Sequence, residues 1–398
     1  MEKDIFSTRN YRLNQIFMRI LGVWPEQSLA ARILLPSFFV FMNLSLYIPE
    51  LRQLNNIRGD IDRTMEILTS CTVMSGSTIM VINTAVKSTE IFQLIKWVRR
   101  DWESLANNPQ LIAVLDKYAA EGRQKTIIHA VMMYGGGTAF FCLPLTPMVL
   151  NVVLPLNESR PKKFMYGTDY GVDGLEYYYW ILFHSCIVTY TCMAVFAGID
   201  SVFAVWVQHC CALFEVAGYY LKRGVEKLDV PPCDKETIRA GEDEAFTNLR
   251  FCIQQHQAAI HFADLIESAY TMVTALVLGM SMILMSMSGV LFVIQIHNTD
   301  EALRYVTVVS CVLYHLYHHT VSGQDLINHS SQISEYAYEC DWYDFPPKAQ
   351  KLLVFIIARA QRPCFLTAGK VYEINMHNFS EVVKTSISYF TMFSSLRE

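Results

Sequence analysis

FSEVVKTSISYFTMFSSL, residues 379–396, is the stretch on which the fold turns. As a helix it is nearly long enough to cross the hydrocarbon core of a bilayer, yet it is unusually polar. Glu381, Lys384, Ser388, Thr391 or Met392, and Ser395 recur every three to four residues and so share one helical face. Phe379, Val383, Phe390 and Phe393 form the opposite side. A polar stripe on a membrane helix faces protein or water, because lipid offers its polar groups no partners. Two readings stay open. Either the stripe is buried against neighbouring helices, or Ser388, Met392, Ser395 and Leu396 line a pore, with Met392 and Leu396 as an apolar constriction that gates by dewetting. One such helix cannot enclose a pore, so the second reading requires several subunits around a common axis.

The rest of the chain places this segment in lipid. Of 398 residues, 52% are hydrophobic and 17% charged, and the mean hydropathy is positive. Soluble domains carry about 25% charged residues, so the chain has too few to coat soluble domains of its total length. The 23 Phe, 21 Tyr, 6 Trp and 18 Met suit lipid contact, interfacial belts and pliable cavities. A net charge of −5 gives no nucleic-acid footprint. Met1-Glu2-Lys3-Asp4 precedes no short apolar core with a small-residue cleavage site, so no cleaved signal peptide is expected and the N-terminus is read as cytoplasmic.

Seven membrane spans are expected, at residues 31–48, 65–86, 126–154, 177–207, 262–296, 302–320 and 371–396. The segment 349–360 is apolar but too short to cross. With the N-terminus inside, most basic residues fall in inner flanks and loops, among them Arg9, Arg12, Arg19, Lys96, Arg99, Arg100, Lys222 and Arg223. The outer segments hold only Arg52, Arg58, Arg63, Arg160, Lys162, Lys163, Arg304 and Arg397. This bias puts the N-terminus inside and the C-terminus outside, the reverse of a G-protein-coupled receptor. None of the eleven cysteines falls in an expected outer loop, so no outer disulfide framework is expected. Of the Asn-x-Ser sequons at Asn43, Asn157, Asn328 and Asn378, only Asn157 lies in an outer loop, and it is the expected glycosylation site.

The chain has no HExxH, GxSxG, Walker loop or paired CxxC, so neither an enzyme nor a cofactor is expected. Gly135-Gly136-Gly137 reads as close helix packing with a soft point, though a tight backbone approach also leaves room for a ligand. His315, His318 and His319 share a face at a spacing that suits a metal, but no carboxylate or thiolate is evident to complete the site. Packing at the inner end of the sixth span is the reading taken, and no metal is expected. Met280, Met282, Met285 and Met287, interleaved with serines, form either an adaptable ligand surface or ordinary packing.

Two stretches resemble the insect odorant receptors. FMRILGVWP, residues 17–25, is similar to that family's segment before the membrane, with Gly22, Trp24 and Pro25. Residues 340–396 are similar to its C-terminal region at Trp342, Tyr343, Pro363, Leu366, Ala368, Lys370, Tyr372, Phe379, Val383, Lys384, Ser388, Tyr389 and Phe390. The resemblance implies an all-α integral membrane protein of seven transmembrane helices, whose last region splits into a cytoplasmic anchor helix at 348–361 and a pore helix at 371–396. It implies a ligand-gated, non-selective cation channel, a hetero-tetramer in which a tuning subunit joins a common co-receptor. The segment at about 208–261 is shorter than the co-receptor's second inner loop, so this chain resembles a tuning subunit. Aligning Tyr389-Phe390 with the family's Tyr-Phe pair puts the gate at Met392, Ser395 and Leu396, with Met392 where the co-receptor usually has a smaller aliphatic residue. The chain then divides into a cytoplasmic N-terminal segment (1–30), a six-helix bundle with the ligand pocket (31–322), a cytoplasmic anchor region (323–370), and the pore helix with an extracellular C-terminus (371–398).

The same resemblance puts the odorant pocket in the outer half of the bundle, between the second, third, fourth and sixth helices. By depth and side-chain type, those faces offer Met74, Ser77, Gly137, Phe140, Phe141, Tyr178, Ile181, Ser185, Tyr305 and Val309. Such apolar and aromatic walls suit a small volatile or lipid-like molecule. The implied partners are the co-receptor, an odorant, membrane lipid and permeating cations, in the plasma membrane of a sensory neuron. The charge bias, the absence of outer-loop cysteines and the missing Asp/Glu-Arg-Tyr and Asn-Pro-x-x-Tyr signatures speak against a G-protein-coupled-type chemoreceptor. A transporter would show internal repeats. A gustatory receptor channel would end in Thr-Tyr-x-x-x-x-x-Gln-Phe, which this chain lacks.

Overall fold

The computed structural model describes residues 4–57, 59–222 and 235–395. Helix α1 (Arg12–Ile20) leads into α2 (Leu29–Asn56), α3 (Ile61–Val86), α4 (Ser88–Leu105), α5 (Pro109–Val153), α6 (Tyr178–Lys222), α7 (Lys235–Ile294) and α8 (Thr299–Glu339). Next come α9 (Pro347–Ala360), a hairpin of β1 (Thr367–Ala368) and β2 (Tyr372–Glu373), and α10 (Met376–Ser395). The hairpin is antiparallel, with Thr367 opposite Glu373. Among the described residues, α2, α3, α5, α6 and α7 are long and apolar enough to cross a membrane. The sixth and seventh expected spans fall on α8 and α10, which are long enough but more polar. Phe38, Phe41 and Ile48 on α2, Val131 and Val152 on α5, and Trp180 and Phe183 on α6 face outward, as lipid-exposed side chains do.

The helices run several turns beyond the expected spans: α5 starts at Pro109, α6 continues to Lys222, α7 starts at Lys235 and α8 continues to Glu339. Residues 208–261, read from sequence as a loop, are helical wherever described, and α8 passes residue 322 without a break. An apolar window detects only the apolar length of a helix that continues into a more polar sequence.

Those extensions build a dense base. Residues 197–214 of α6 are buried on all sides, as expected for a helix surrounded by others. Phe6 packs 5.3 Å from Trp24 and 6.2 Å from Trp206, ring centre to ring centre, and Trp24 is 0% exposed. Gly22 turns the chain there at φ +72°; a Cβ would stand 2.6 Å from both Leu35 Cβ and Pro36 Cδ, so only glycine fits. Helix α4, not anticipated from the sequence, buries Ile91, Leu94, Ile95 and Val98 on one stripe. Its Arg99 pairs with Asp4 at 2.9 Å and with Glu26, and that hydrogen bond holds the Glu26 carboxyl below its usual range.

The C-terminal region hangs on α7. The Glu267 carboxylate accepts from the Thr367 backbone N–H at 2.8 Å, and the Gly369 N–H donates to the Thr271 carbonyl at 2.9 Å. Helix α10 begins at Met376, later than the expected residue 371, because Tyr372 and Glu373 belong to the hairpin. Asn375 then starts the helix by accepting the Asn378 N–H at 2.8 Å.

Candidate functional site

A cavity of about 140 Å³ lies between α3, α5, α6, α7 and α8. Each helix contributes residues at i, i+3 or i+4, and i+7: Met133, Gly137 and Phe140 on α5; Thr189, Cys192 or Met193, and Phe196 on α6; Tyr305, Val308, Val312 and His315 on α8. The walls are mainly apolar, with Met74, Phe140, Met193, Phe196, Met280 and Leu284 among them. Two glycines let the walls close. A Cβ on Gly136 would collide with Cys311 Sγ, and one on Gly137 would stand 2.9 Å from Met193 Cγ.

Polar groups gather toward the end that faces the loop between α5 and α6. Arg304 Nη1 lies 2.7 Å from Glu66 and 3.3 Å from Glu301, and Nη2 donates to the Met165 carbonyl at 2.6 Å. The guanidinium also sits 5.3 Å from the Phe140 ring centre, within cation–π range. Tyr166, from the loop, lines the cavity and meets the Thr189 hydroxyl at 2.8 Å. Lys163–Asp300 at 2.8 Å and Arg52–Asp169 at 3.1 Å tie the same loop to neighbouring helix ends. The loop therefore forms a ceiling over the cavity.

Of the residues expected at a ligand site, Met74, Gly137, Phe140 and Tyr305 line this cavity. The others lie elsewhere. Ser77 is buried toward α2, 3.3 Å from the Asn43 amide. Phe141 packs against a cluster of Met165, Tyr178 and Leu182, and the Tyr178 hydroxyl donates to the Lys163 carbonyl at 3.0 Å. Ile181 and Ser185 are buried on α6 nearer its start, with the Ser185 carbonyl accepting from Thr189 at 2.8 Å. Val309 is half-buried beside the lining positions Tyr305, Val308 and Val312. Sequence reasoning did not find Tyr166, Arg304 or Leu284; Met280 and Ser281 belong to the α7 stripe for which a ligand surface was one of two open readings.

Helix α10 packs on α7 and α8 and turns its polar stripe away from both. Val382 and Ser386 are buried, and Phe390 meets α7 at Gly289. Glu381, Lys384, Ser388, Thr391, Met392 and Ser395 are exposed. Their hydroxyls bond back to their own helix: Ser388 to the Lys384 carbonyl at 3.0 Å, Thr391 to Ser388 at 2.9 Å, and Ser395 to Met392 at 2.9 Å. Glu381 and Lys384 pair at 2.8 Å on the same helix. Burial of the stripe within this chain, one of the two sequence readings, is not what the structure has. Leu396 lies outside the described residues. Asn157 is exposed in the loop after α5.

The histidine reading from sequence needs correction. His315 and His318 are buried inside the bundle, and a carboxylate does stand beside the triplet. It is Asp200 of α6, 2.9 Å from His315 Nε2 and 3.0 Å from His319 Nε2.

Long lipid-facing helices enclosing an apolar cavity beneath a loop ceiling define a helical integral membrane protein with an internal cavity. Residues 60–387 match the 7tm Odorant receptor family, and the chain belongs to that family. It is 23% identical to Odorant receptor 9a of Drosophila melanogaster over 246 residues, 62% of this chain and 57% of that protein. It is 24% identical to Odorant receptor Or2 of Anopheles gambiae over 303 residues, 74% of each chain. The structure of the insect olfactory receptor OR5 from Machilis hrabei in complex with eugenol matches with a TM-score of 0.75 over 97% of both chains, at 11% identity, a likeness of fold.

Proposed function

We propose that this chain is the odorant-binding tuning subunit of a ligand-gated, non-selective cation channel, joined to a common co-receptor in a hetero-tetramer in the sensory-neuron plasma membrane. The observation that carries the channel reading is α10, whose polar face turns outward from a lipid-facing bundle and finds no partner helix within the described residues. Its hydroxyls bond back to their own helix and Glu381 pairs with Lys384, but lipid solvates none of these groups, whereas water in a pore shared among subunits can. In this reading α2, α3, α5, α6, α7, α8 and α10 cross the membrane, with the basic end around α1, α4 and α9 in the cytoplasm and the C-terminus outside. Helix α9 is the anchor, Ser388, Met392, Ser395 and Leu396 line the pore, and Asn157 carries a glycan on the outer side. Membership of the odorant receptor family does not favour the G-protein-coupled or gustatory alternatives.

The cavity suits a small volatile or lipid-like odorant, because its few polar groups can orient a ligand while its apolar walls contribute the burial. Coupling to the pore needs no long pathway. Leu284 and Val312 face the cavity and belong to the same buried cluster as Val382 of α10. A ligand that repacks this shared wall moves α10, and it opens the channel to the extent that it binds the open arrangement more tightly. Co-expression with the co-receptor tests the reading. Odorant-evoked current should require this chain, and Phe140→Ala or Tyr305→Ala should shift the half-maximal concentration about tenfold, equivalent to about 1.4 kcal/mol. Evoked current that never depends on this subunit contradicts it.

A further inference from the structure

Below the ligand cavity, a second space of about 50 Å³ is bordered by Asp200, His315 and His319 on one side and by Phe379 and Val382 of α10 on the other. Three imidazoles surround the Asp200 carboxylate, which is 1% exposed. His315 Nε2 lies 2.9 Å from Oδ2, His319 Nε2 lies 3.0 Å from Oδ1, and His129 Nε2 of α5 lies 3.5 Å from Oδ2. No Lys or Arg joins them among the described ion pairs of Asp200, so the buried carboxylate is faced there only by imidazole rings.

Hydrogen bonding engages only part of the cluster, His319 Nε2 meeting Asp200 Oδ1 at 3.0 Å. Among the described residues, Asp200 Oδ2, His315 Nε2 and both ring nitrogens of His129 make no hydrogen bond, although His129 is 0% exposed. His315 Nε2 approaches Oδ2 closely but outside hydrogen-bond alignment. His318 is engaged elsewhere: its Nε2 lies 3.4 Å from the Asp200 backbone carbonyl, and its ring stacks on His129 at 4.1 Å. Ligand atoms about 2.0–2.1 Å from a tetrahedral metal stand about 3.3 Å apart; here the Asp200 oxygens lie 2.9 and 3.0 Å from His315 and His319, and the three candidate ligand atoms all lie within 4.8 Å of one another. The adjoining space exceeds the ~10–15 Å³ that a water needs, so a water can complete the coordination.

We propose that Asp200, His315 and His319 form a binding site for a divalent transition-metal cation of the zinc class, with His129 supporting the carboxylate from α5. The donor set of imidazole nitrogen and carboxylate oxygen suits zinc, and cobalt serves as its spectroscopic stand-in. The site cross-links α6 to α8 where His315 also lines the ligand cavity, so occupancy alters odorant sensitivity. The assignment does not depend on the channel reading.

The test uses the full chain purified in detergent and titrated with Co²⁺ alone. One Co²⁺ per chain, with the visible absorption of a four-coordinate ion, is expected. His315→Gln combined with His319→Gln should abolish it, and His129→Gln should weaken it about 10–100-fold. A folded wild-type chain that takes up no Co²⁺, or a folded double variant that binds it undiminished, overturns the proposal. If the double variant does not fold, X-ray absorption on the wild type decides. Imidazole and oxygen scatterers at about 2.0–2.1 Å support the site, and sulfur at about 2.3 Å overturns it in favour of cysteine ligation.

Discussion

Helix α6 lives in two environments. From residue 197 to 214, with Trp206 and Phe214 among its side chains, it is buried on every side in the cluster that also holds Trp24, at the end of the bundle that carries α1, α4 and α9. One to two turns earlier, at Thr189, Cys192 and Met193, the same helix borders an open cavity of about 140 Å³. The base is a close-packed core that holds the long helices in register. The cavity end gives up packing to leave room for a guest, and there the walls are flexible methionines and the ceiling is a loop held by ion pairs. Structural rigidity and ligand adaptability are thus assigned to opposite ends of one set of helices.

The contrast is broken most severely at the base. Trp206→Ala removes a fully buried ring from a site with no slack and should cost about 3–5 kcal/mol, seen as loss of surface protein. Met193→Ala, beside a pre-existing space, should cost less and leave the receptor at the surface, so equal losses from both would erase the distinction. Gly136→Ala forces Cys311 Sγ aside and should destabilise by about 1–3 kcal/mol through overpacking, read as a lower Tm with a smaller evoked current. Arg304→Ala strands Glu66 and Glu301 and frees the loop ceiling. A rise of about tenfold in the half-maximal odorant concentration is expected, together with a lower Tm.

The smallest effect lies at the N-terminal clamp. Because the Arg99 hydrogen bond lowers the Glu26 pKa, the pair contributes stability that is fully present above the unfolded value near 4.5 and lost as pH falls through the folded value. Glu26 is largely exposed, so the contribution is small and sensitive to salt. A shallow acid-side fall in Tm should disappear in Glu26→Gln, and an unchanged slope would show that the clamp contributes nothing.

The sequence made some of this legible and concealed the rest for identifiable reasons. The outward polar face of α10 was readable because periodicity alone decides which side chains share a face. The α6 residues expected at a ligand site share a face with those that line the cavity but stand nearer the start of the helix. Ser185 precedes the lining residue Thr189 by four positions, and Tyr178 lies higher still, so the cavity sits roughly 6 to 16 Å deeper along α6 than expected at 1.5 Å per residue. That depth is decided by the loop ceiling, which no local pattern encodes. Arg304 read as an outer-loop cation, and only its contacts with Glu66 and Met165 make it part of the site. Asp200 was visible as a charge in an apolar span, but its meeting with His315 and His319 is a product of tertiary packing. Helix α4 carried a readable apolar stripe hidden within a basic segment.

The most direct test of the account is thiol accessibility along α10. Ser388→Cys and Ser395→Cys, each co-expressed with the co-receptor, would be treated with a charged, membrane-impermeant thiol reagent with and without odorant, against the wild type and the buried Val382→Cys. The account predicts that current falls at positions 388 and 395, faster when odorant is present, with no change in either control. Full current at both positions after treatment in the open state would contradict it, because the polar face of α10 would then not line the conducting path.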